Sequence, residues 1–260
     1  MISGIYIALS GAKLQELKLE ITANNLANVN TVGYKADKVT ARPFEVELEN
    51  AMGEFENMGI QQQQEDTPYY VAYAKTNQVG TSFAQGPTQQ TGNPLNVALE
   101  GPGFIAVDTP SGVRYTRQGS FEIKSDGKLV TPDGYQVRGK GLANLGSGEI
   151  TIDANGNVSI IGNGEANGQL QGTIEMKEFD DPSILRKEGH NLFACPNESL
   201  AKNSVSTSVR QGYVEMPNVN TVTEMVNLIE LNRTFESYQK AITTIDESTQ
   251  KLVSEVGGAV

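Results

Sequence analysis

Apolar side chains repeat in alternating steps of three and four at both ends of this chain, and they do not in its middle. Near the C-terminus one seam has a single polar member: Leu228, Leu231, Phe235, Tyr238, Ile242, Ile245, Thr249, Leu252 and Val256. Near the N-terminus a second seam also has one: Ile2, Ile5, Leu9, Ala12, Glu16, Leu19, Ala23 and Leu26. A repeat of 3.5 residues held over about four heptads is typical of helices that supercoil around partner helices. The pattern predicts two terminal helices that assemble as coiled coils.

The limits of both helices can be predicted from local signals. Residues 3 to 28 contain no proline and many good helix formers, and Asn and Thr residues suited to a helix end follow them. The second helix is predicted to begin near Asn220 or Thr221, because Thr221 and Glu224 have the spacing of a capping box. It is predicted to run to about Val256.

The middle of the chain has a different period. From about Pro94 to Phe193, short runs of β-forming residues alternate with turns such as Ser125-Asp-Gly127 and Pro132-Asp-Gly134. Turns spaced roughly 8 to 12 residues apart favour antiparallel hairpins over βαβ units. The predicted fold class is therefore α+β, with discontinuous N- and C-terminal coiled-coil helices flanking an antiparallel, all-β central domain.

Five segments are predicted along the chain. They are 1–35 with the N-terminal helix, 36–93 as a connecting and extended segment, 94–193 as the antiparallel β domain, 194–217 as an extended connector, and 218–260 with the C-terminal helix. Within the connecting segment, Glu45 to Gly53 fits a short helix and Tyr69 to Ala74 fits a strand.

Charge and hydropathy argue against several classes of function. The formal net charge is −11, and no cluster of Lys and Arg offers a phosphate-binding surface, so no nucleic-acid partner is expected. No apolar run reaches about eighteen residues, so no membrane span is expected. The apolar run from Ile5 to Leu9 is short and has no basic residue before it, which argues against a cleaved signal peptide.

Candidate chemistry is sparse. The chain has one histidine, His190, and one cysteine, Cys195, and the favoured interpretation is a loop histidine and a small buried thiol rather than a catalytic pair. Two such residues are too few for a zinc site, and the loop at Asp153 lacks the glycine and glutamate positions of a calcium loop. The sequence predicts no catalytic residue, no cofactor and no metal.

Several long stretches resemble one family. Ala23 to Lys35 closely resembles the N-terminal signature of bacterial flagellar rod and hook proteins, and Gln211 to Glu230 resembles their C-terminal signature. Gly86 to Phe104, and Tyr115 to Tyr135, are similar to the body of the basal-body rod proteins. The resemblance covers essentially the whole chain and is weakest over residues 36 to 75.

The resemblance implies a non-enzymatic structural subunit that transmits torque. Its terminal helices would form an inner tube, and its β domain would face outward. The implied partners are copies of itself, other rod subunits in a helical assembly, and the flagellar type III export apparatus. The implied location is the periplasmic rod of the basal body, reached without a cleaved signal peptide.

The position within the rod is less tightly specified. Gly86 to Phe104 and Gly101 to Arg117 favour the proximal-rod type. A distal-rod or hook-family axial subunit stays open, because Gln211 to Val214 and the tail to Val260 suit the distal type almost as well. A more remote alternative is a secreted hydrolase with helical dimerisation ends.

The expected assembly interface combines apolar seam residues with polar residues at the helix ends. Asparagine amides are expected to bond between neighbouring helices, because an amide both donates and accepts. The predicted set is Ile5, Leu9, Leu19, Asn24, Asn25, Leu26, Asn28, Asn30, Gly33, Asn218, Asn220, Met225, Leu228, Leu231, Phe235, Tyr238, Ile242, Ile245 and Leu252.

Overall fold

The computed structural model describes residues 2–43, 74–142, 145, 148–161 and 168–257. The chain divides into two compact units. The helical unit comprises Met1–Leu26, Asp37–Gly80 and Thr221–Val260, and the β unit comprises Ala27–Ala36 and Thr81–Asn220. The predicted short helix at Glu45 to Gly53, and the predicted strand at Tyr69 to Ala74 except for its last residue, lie outside the described residues.

The helical unit contains the two predicted terminal helices. Helix α1 spans Ile2–Ala27 and helix α2 spans Thr221–Gly257, which agrees with the predicted limits to within a residue or two. Strands β1 (Asp37–Pro43) and β2 (Ala74–Thr81) form a two-stranded sheet. Both helices and a central antiparallel β region are therefore confirmed, and the fold class is α+β.

The β unit is built from short strands. They are β3 (Thr88–Gln90), β4 (Val97–Glu100), β5 (Phe104–Thr109), β6 (Gly112–Thr116), β7 (Glu122–Ile123), β8 (Leu129–Val130), β9 (Gln136–Val137), β10 (Gly139–Lys140), β11 (Glu149–Ile152), β12 (Asn157–Ile161), β13 (Gln169–Ile174), β14 (Met176–Glu178), β15 (Arg186–Lys187), β16 (Leu192–Ala194), β17 (Lys202–Asn203), β18 (Ser208–Gln211) and β19 (Tyr213–Glu215). Single 3-10 turns lie at Pro182–Ile184 and Glu198–Leu200.

These strands form antiparallel sheets. The largest sheet has the order β15-β16-β6-β5-β9-β8-β7, and β14 joins it by pairing with β5 and with β17. A four-stranded sheet has the order β10-β13-β12-β11. Two further pairs, β18 with β4 and β19 with β3, attach the C-terminal strands to strands more than 100 residues earlier in the chain.

Two apolar clusters fill the β unit. The larger one gathers alternating residues of both large sheets, among them Ile105, Val107 and Val158, which are fully buried. The smaller one is aromatic and centres on Phe104, with Phe193 and Phe179 packed edge to face against it at centroid distances of 5.9 Å and 5.7 Å. Each fully buried large apolar side chain contributes roughly 1.5–3 kcal/mol, so these clusters hold the sheets together.

Within the described residues, neither helix is long and apolar enough to cross a membrane. The same residues include no group of three or more His, Cys, Asp or Glu side chains placed to hold a metal ion.

Candidate assembly surfaces

The two helices pack against each other in antiparallel directions. Gly11 of α1 lies under the ring of Tyr238, and a Cβ atom at Gly11 would be 2.6 Å from the ring carbon Cε1. Nearer the other end, α1 residues 15–25 and α2 residues 224–234 line one groove. From the first place to the second, the residue numbers rise along α1 and fall along α2. The two helices therefore run in opposite directions.

The two helices use their predicted seams differently. On α2 the seam from Leu228 to Thr249 is half-buried between mostly exposed neighbours, so it is the least exposed face of this helix. On α1 the buried residues are small or polar, and only Ala12 among them belongs to the predicted seam: they are Ala8, Gly11, Ala12, Thr22 and Asn25. Small side chains allow the helix to approach the large side chains of α2 closely, which explains why the contact falls there.

Most of the predicted α1 seam therefore stays accessible in the isolated chain. Leu9, Glu16 and Ala23 are exposed, and Leu19 and Leu26 are half-buried. The first two turns of α2 carry a further apolar stripe, Val222, Met225, Val226 and Ile229, whose members are 49% to 71% exposed. Of this stripe the sequence predicted only Met225. The side chain of Leu252 lies outside the described residues.

A polar groove of about 550 Å³ lies between α1, β1 and α2. Its lining residues are Gln15, Lys18, Ile21, Thr22, Asn25, Asp37, Lys38, Val39, Glu224, Asn227, Glu230, Leu231 and Thr234. Both signs of charge and several amides face this space, so it suits polar side chains rather than an apolar ligand. The Oε1 atom of Gln15 is buried without a hydrogen-bond partner among the described residues.

The amide of Asn25 fastens the end of α1 to the start of β1. Its Nδ2 donates to the backbone oxygen of Asp37 at 2.9 Å, and its Oδ1 accepts from the Asp37 backbone N–H at 3.0 Å. This reciprocal pair satisfies both halves of the amide and both backbone groups of Asp37. The sequence predicted Asn25 as a contact between helices, and the structure places these two hydrogen bonds within one chain.

The amide of Asn218 joins three segments inside the β unit. Its Oδ1 accepts from the Ala36 backbone N–H at 2.8 Å, and its Nδ2 donates to the backbone oxygens of Ser82 and Ala84 at 2.8 Å and 3.0 Å. The Ser82 N–H in turn donates to the Ala36 oxygen at 2.8 Å. Ala36, Ser82 and Asn218 each lie within two residues of a point where the chain leaves or re-enters this unit.

A buried charge cluster lies next to this amide. The Lys35 ammonium is 2.6 Å from Oε1 of Glu215 and donates to the Ala84 oxygen at 2.8 Å. The Arg117 guanidinium is 3.4 Å from Oε2 of Glu215 and sits over the Phe104 ring. All three charged side chains are at most 2% exposed. Burial lowers the pKa of Lys35 and that of Arg117, and the Glu215 carboxylate opposes both shifts.

Two glycines permit the close backbone contacts around this cluster. Gly33 has a positive φ of 72° and donates its N–H to the backbone oxygen of Glu215 at 2.8 Å, and a Cβ there would lie 2.4 Å from the backbone nitrogen of Gln118. A Cβ at Gly86 would lie 1.9 Å from the Met216 oxygen. Neither position has room for a side chain, so Gly33, predicted as an interface residue, is placed inside the β unit.

The remaining predicted residues are scattered. Asn28 accepts at Oδ1 from the Thr31 hydroxyl at 3.2 Å, close to the end of α1. Asn24, Asn30 and Asn220 are exposed, and Ile5 is half-buried. His190 lies 2.9 Å through Nδ1 from Asp133 Oδ1 on the surface, and the Cys195 thiol donates to the Asn197 oxygen.

The sequence did not predict the Lys35, Arg117 and Glu215 cluster. Lys35 and Glu215 are 180 positions apart, and the strand pairing that brings them together depends on tertiary contacts. A signal was present all the same, because Lys35 and Glu215 lie within the N- and C-terminal signature stretches, and Arg117 lies within the stretch from Tyr115 to Tyr135 that also carries the family resemblance.

Three family models match the chain. "Flagella basal body rod protein" matches residues 5–35, "Flagellar hook protein FlgE/F/G D1 domain" matches residues 98–167, and "Flagellar basal body rod FlgEFG protein C-terminal" matches residues 210–255. The first and third models contain or adjoin the segments that Asn25, Lys35, Glu215 and Asn218 fasten.

Curated relatives match over nearly their whole length. The flagellar basal-body rod protein FlgG of Bacillus subtilis is 32% identical, with 98% of this chain and 99% of that protein aligned. The flagellar basal-body rod protein FlgF of Caulobacter vibrioides is 30% identical, with 99% of each chain aligned. FlgF of Rhizobium meliloti is 29% identical over the full length of both.

Proposed function

We propose a function on the premise that this chain belongs to the family of flagellar basal-body rod and hook proteins. The chain is a structural, non-enzymatic subunit of the rod, located at the basal body, where it assembles with other rod proteins. The proposal concerns which surfaces of the chain contact neighbouring subunits and which segment of the rod it occupies. Helices α1 and α2 pack with the helices of neighbouring subunits into an inner tube, and copies of the chain contact one another in a helical assembly.

One observation carries this proposal, namely the apolar side chains that the helix pair leaves exposed. They are Tyr6, Ile7, Leu9, Val222, Met225, Val226 and Ile229, each between 42% and 71% exposed. Exposed apolar patches mark interaction sites, and a helix that is apolar on two faces needs neighbours on more than one side. Packing between subunits would remove these side chains from water.

The proposed position is the proximal rod. Support comes from the resemblance of Gly86 to Phe104 and of Gly101 to Arg117 to the proximal type, whereas curated relatives of the FlgF and FlgG names match with similar identity. The resemblance also supports a periplasmic location that is reached through the flagellar type III export apparatus without cleavage of a signal peptide.

A cryo-EM map of isolated basal bodies tests the position by counting. A proximal subunit should form one short layer of few copies beneath the distal rod, because only a distal subunit has to polymerise onto itself over many turns. A map in which this chain stacks on itself through most of the rod would reverse the assignment to the proximal segment. Absence of the chain from the rod would contradict the function itself.

A further inference from the structure

We propose that the outward face of α1 in one copy of this chain binds the outward face of α2 in the next copy, in the same antiparallel register that the two helices keep within a chain. The inference rests on the proposed function and specifies the partner of its exposed helix faces as a second copy. The outward faces are defined by the exposed residues Lys13, Glu16, Glu20 and Ala23 on α1, and Val222, Val226, Arg233 and Glu236 on α2.

These faces point away from the contact within the chain. At about 100° per residue, Lys13, Glu16 and Glu20 lie on the side of α1 roughly opposite Ala8, Gly11 and Gln15. By the same count, Val222, Ile229 and Arg233 lie roughly opposite the half-buried seam of α2. The contact within the chain therefore covers one face of each helix and leaves the opposite face accessible to a second copy.

Charge complementarity selects one register. Within the chain, the register is defined by Gly11 facing Tyr238. When α1 of one copy keeps this register against α2 of the next copy, Glu16 lies opposite Arg233, because they are five residues after Gly11 and five before Tyr238. Counting two residues each way places Lys13 opposite Glu236. Both pairs join opposite charges when the α1 helix of a second copy adopts this register.

Neighbouring registers either bring like charges together or lose both ion pairs. A slide of three residues in one direction puts Lys13 opposite Arg233 and Glu16 opposite Glu230, and a slide of four puts them opposite Asn232 and Ile229. A slide of about one turn in the other direction puts Lys13 opposite Lys240, or Glu16 opposite Glu236. Like charges across an interface disfavour the wrong partner or register, so the register with two opposite-charge pairs is favoured over these neighbours.

The same register covers the apolar stripe of α2 with small residues. Ala27 lies opposite Val222 and Ala23 lies opposite Val226, and both alanines are exposed in the isolated chain. Glu20 then lies opposite Ile229, within one turn of Arg233. Small side chains permit the helices to approach closely at this end, as Gly11 does in the contact within the chain.

The contact joins two different surfaces, so it is heterologous. Because α1 and α2 are antiparallel within the chain, an antiparallel contact between copies keeps all copies pointing in one direction. Each copy then offers a free α1 face on one side and a free α2 face on the other, and a heterologous contact of this kind repeats into a ring or a helical filament.

A charge exchange tests the register. Variants Glu16→Lys and Arg233→Glu are each expressed as the sole copy of the chain, and the amount of the chain in isolated basal bodies is measured. Each single variant places like charges together at every contact and should reduce incorporation about tenfold, the effect of about 1.4 kcal/mol. The double variant restores an opposite pair and should return incorporation to within about twofold of the original level.

Disulfide trapping gives a second readout that does not depend on assembly yield. In a Cys195→Ser background, Lys13→Cys with Glu236→Cys should form dimers and larger species on non-reducing gels of oxidised basal bodies, because each cysteine faces away from its own partner helix. The matched control, Lys13→Cys with Glu247→Cys, uses another exposed residue of α2 about three turns away and should stay monomeric.

The outcomes separate this inference from the proposed function. Normal incorporation of both single variants, or cross-linking in the control pair alone, overturns the register while the chain remains a rod subunit. Failure of the double variant to recover overturns the Glu16–Arg233 pairing, and failure of the test pair to form its disulfide overturns the register independently. Absence of the unaltered chain from basal bodies overturns the proposed function instead.

Discussion

At the scale of single residues, Glu215 connects the two signature stretches. Its carboxylate contacts Lys35 and Arg117, accepts the Gly86 N–H at 2.9 Å, and is fully buried. A buried carboxylate facing two buried cations is far more sensitive to loss of its charge than a surface ion pair. The signature residues therefore act here by holding the β unit together rather than by lining a surface.

Replacement of Glu215 by Gln should lower the free energy of unfolding by about 3–5 kcal/mol, because Lys35 and Arg117 would keep buried charges with no carboxylate. Urea unfolding followed by near-ultraviolet circular dichroism of the aromatic cluster measures this. Glu100→Gln is the matched control, since Glu100 pairs with Arg210 at 3.2 Å while both are about half exposed, and it should cost at most about 1 kcal/mol. Equal losses in both variants would contradict the argument.

Glu178 makes the stability of the β unit depend on pH. Partial burial alone would raise its pKa, but hydrogen bonds from Ser204, Thr207 and Ser206 outweigh that effect and lower the pKa to about 2. The Thr207 hydroxyl, for example, donates to Oε1 at 2.8 Å. The folded pKa lies below the ordinary value of 4.5, so this contribution is complete above about pH 4.5 and is lost as the pH falls toward 2.

The stability difference between the original chain and Glu178→Gln should therefore be larger at pH 6 than at pH 3. Urea midpoints at both values measure it, and Glu122→Gln, which removes an exposed carboxylate from β7, controls for the general loss of one negative charge. A difference for Glu178→Gln that does not shrink at pH 3 would show that these hydroxyl contacts do not stabilise the ionised form.

At the scale of elements, the informative feature is the small-residue face of α1. The apolar seam of this helix predicts its partner-facing side by hydropathy, yet the Tyr238 ring of α2 packs at Gly11, which lies outside that seam. Side-chain volume decides the contact, because Tyr238 needs a position without a side chain. The apolar seam is thereby left for other neighbours.

Gly11→Leu should weaken the pairing of the two helices, because the added side chain would occupy the space of the Tyr238 ring. The expected cost is about 1–3 kcal/mol, typical of overpacking. Gly11→Ala should be tolerated, since the ring end of Tyr238 can move and alanine favours the helix by about 1 kcal/mol over glycine. Incorporation into basal bodies is the measurement.

A second substitution checks the cause of that effect. Tyr238→Ala removes the ring that a leucine at position 11 would meet, so Gly11→Leu with Tyr238→Ala should assemble better than Gly11→Leu alone. If the double variant assembles worse than either single variant, the clash does not explain the loss.

At the scale of the whole molecule, the chain consists of two units that are interleaved in sequence. The chain leaves the β unit for the helical unit after Ala36 and after Asn220, and it returns at Ala27 and at Thr81. The two units have different interiors, since the β unit encloses two apolar clusters whereas α2 has no buried residue among its described side chains. Substitutions in the helices should therefore separate assembly from the folding of the β unit.

Ile245→Asp places a charge on the half-buried seam of α2 and should abolish incorporation and motility, because an unpaired charge in an apolar contact costs several kcal/mol. The melting temperature of the β unit, followed by near-ultraviolet circular dichroism of its aromatic cluster, should stay within about 2 °C of the original. The reason is that the substitution lies outside the β unit. Thr244→Asp, on the neighbouring exposed position, should assemble. Loss of the β-unit transition in Ile245→Asp would contradict this separation.

The sequence by itself determined the two helices, the antiparallel β region between them and the family, because hydrophobic period, caps, turns and signature residues are local properties of the chain. It also determined which face of α2 is least exposed, since large apolar residues repeat there. Only the tertiary structure decided that α1 uses its small residues for that contact, and that Asn218, Lys35, Arg117 and Glu215 meet. Those contacts depend on side-chain volume and on pairing between strands and segments far apart in the chain, neither of which has a period that a sequence can display.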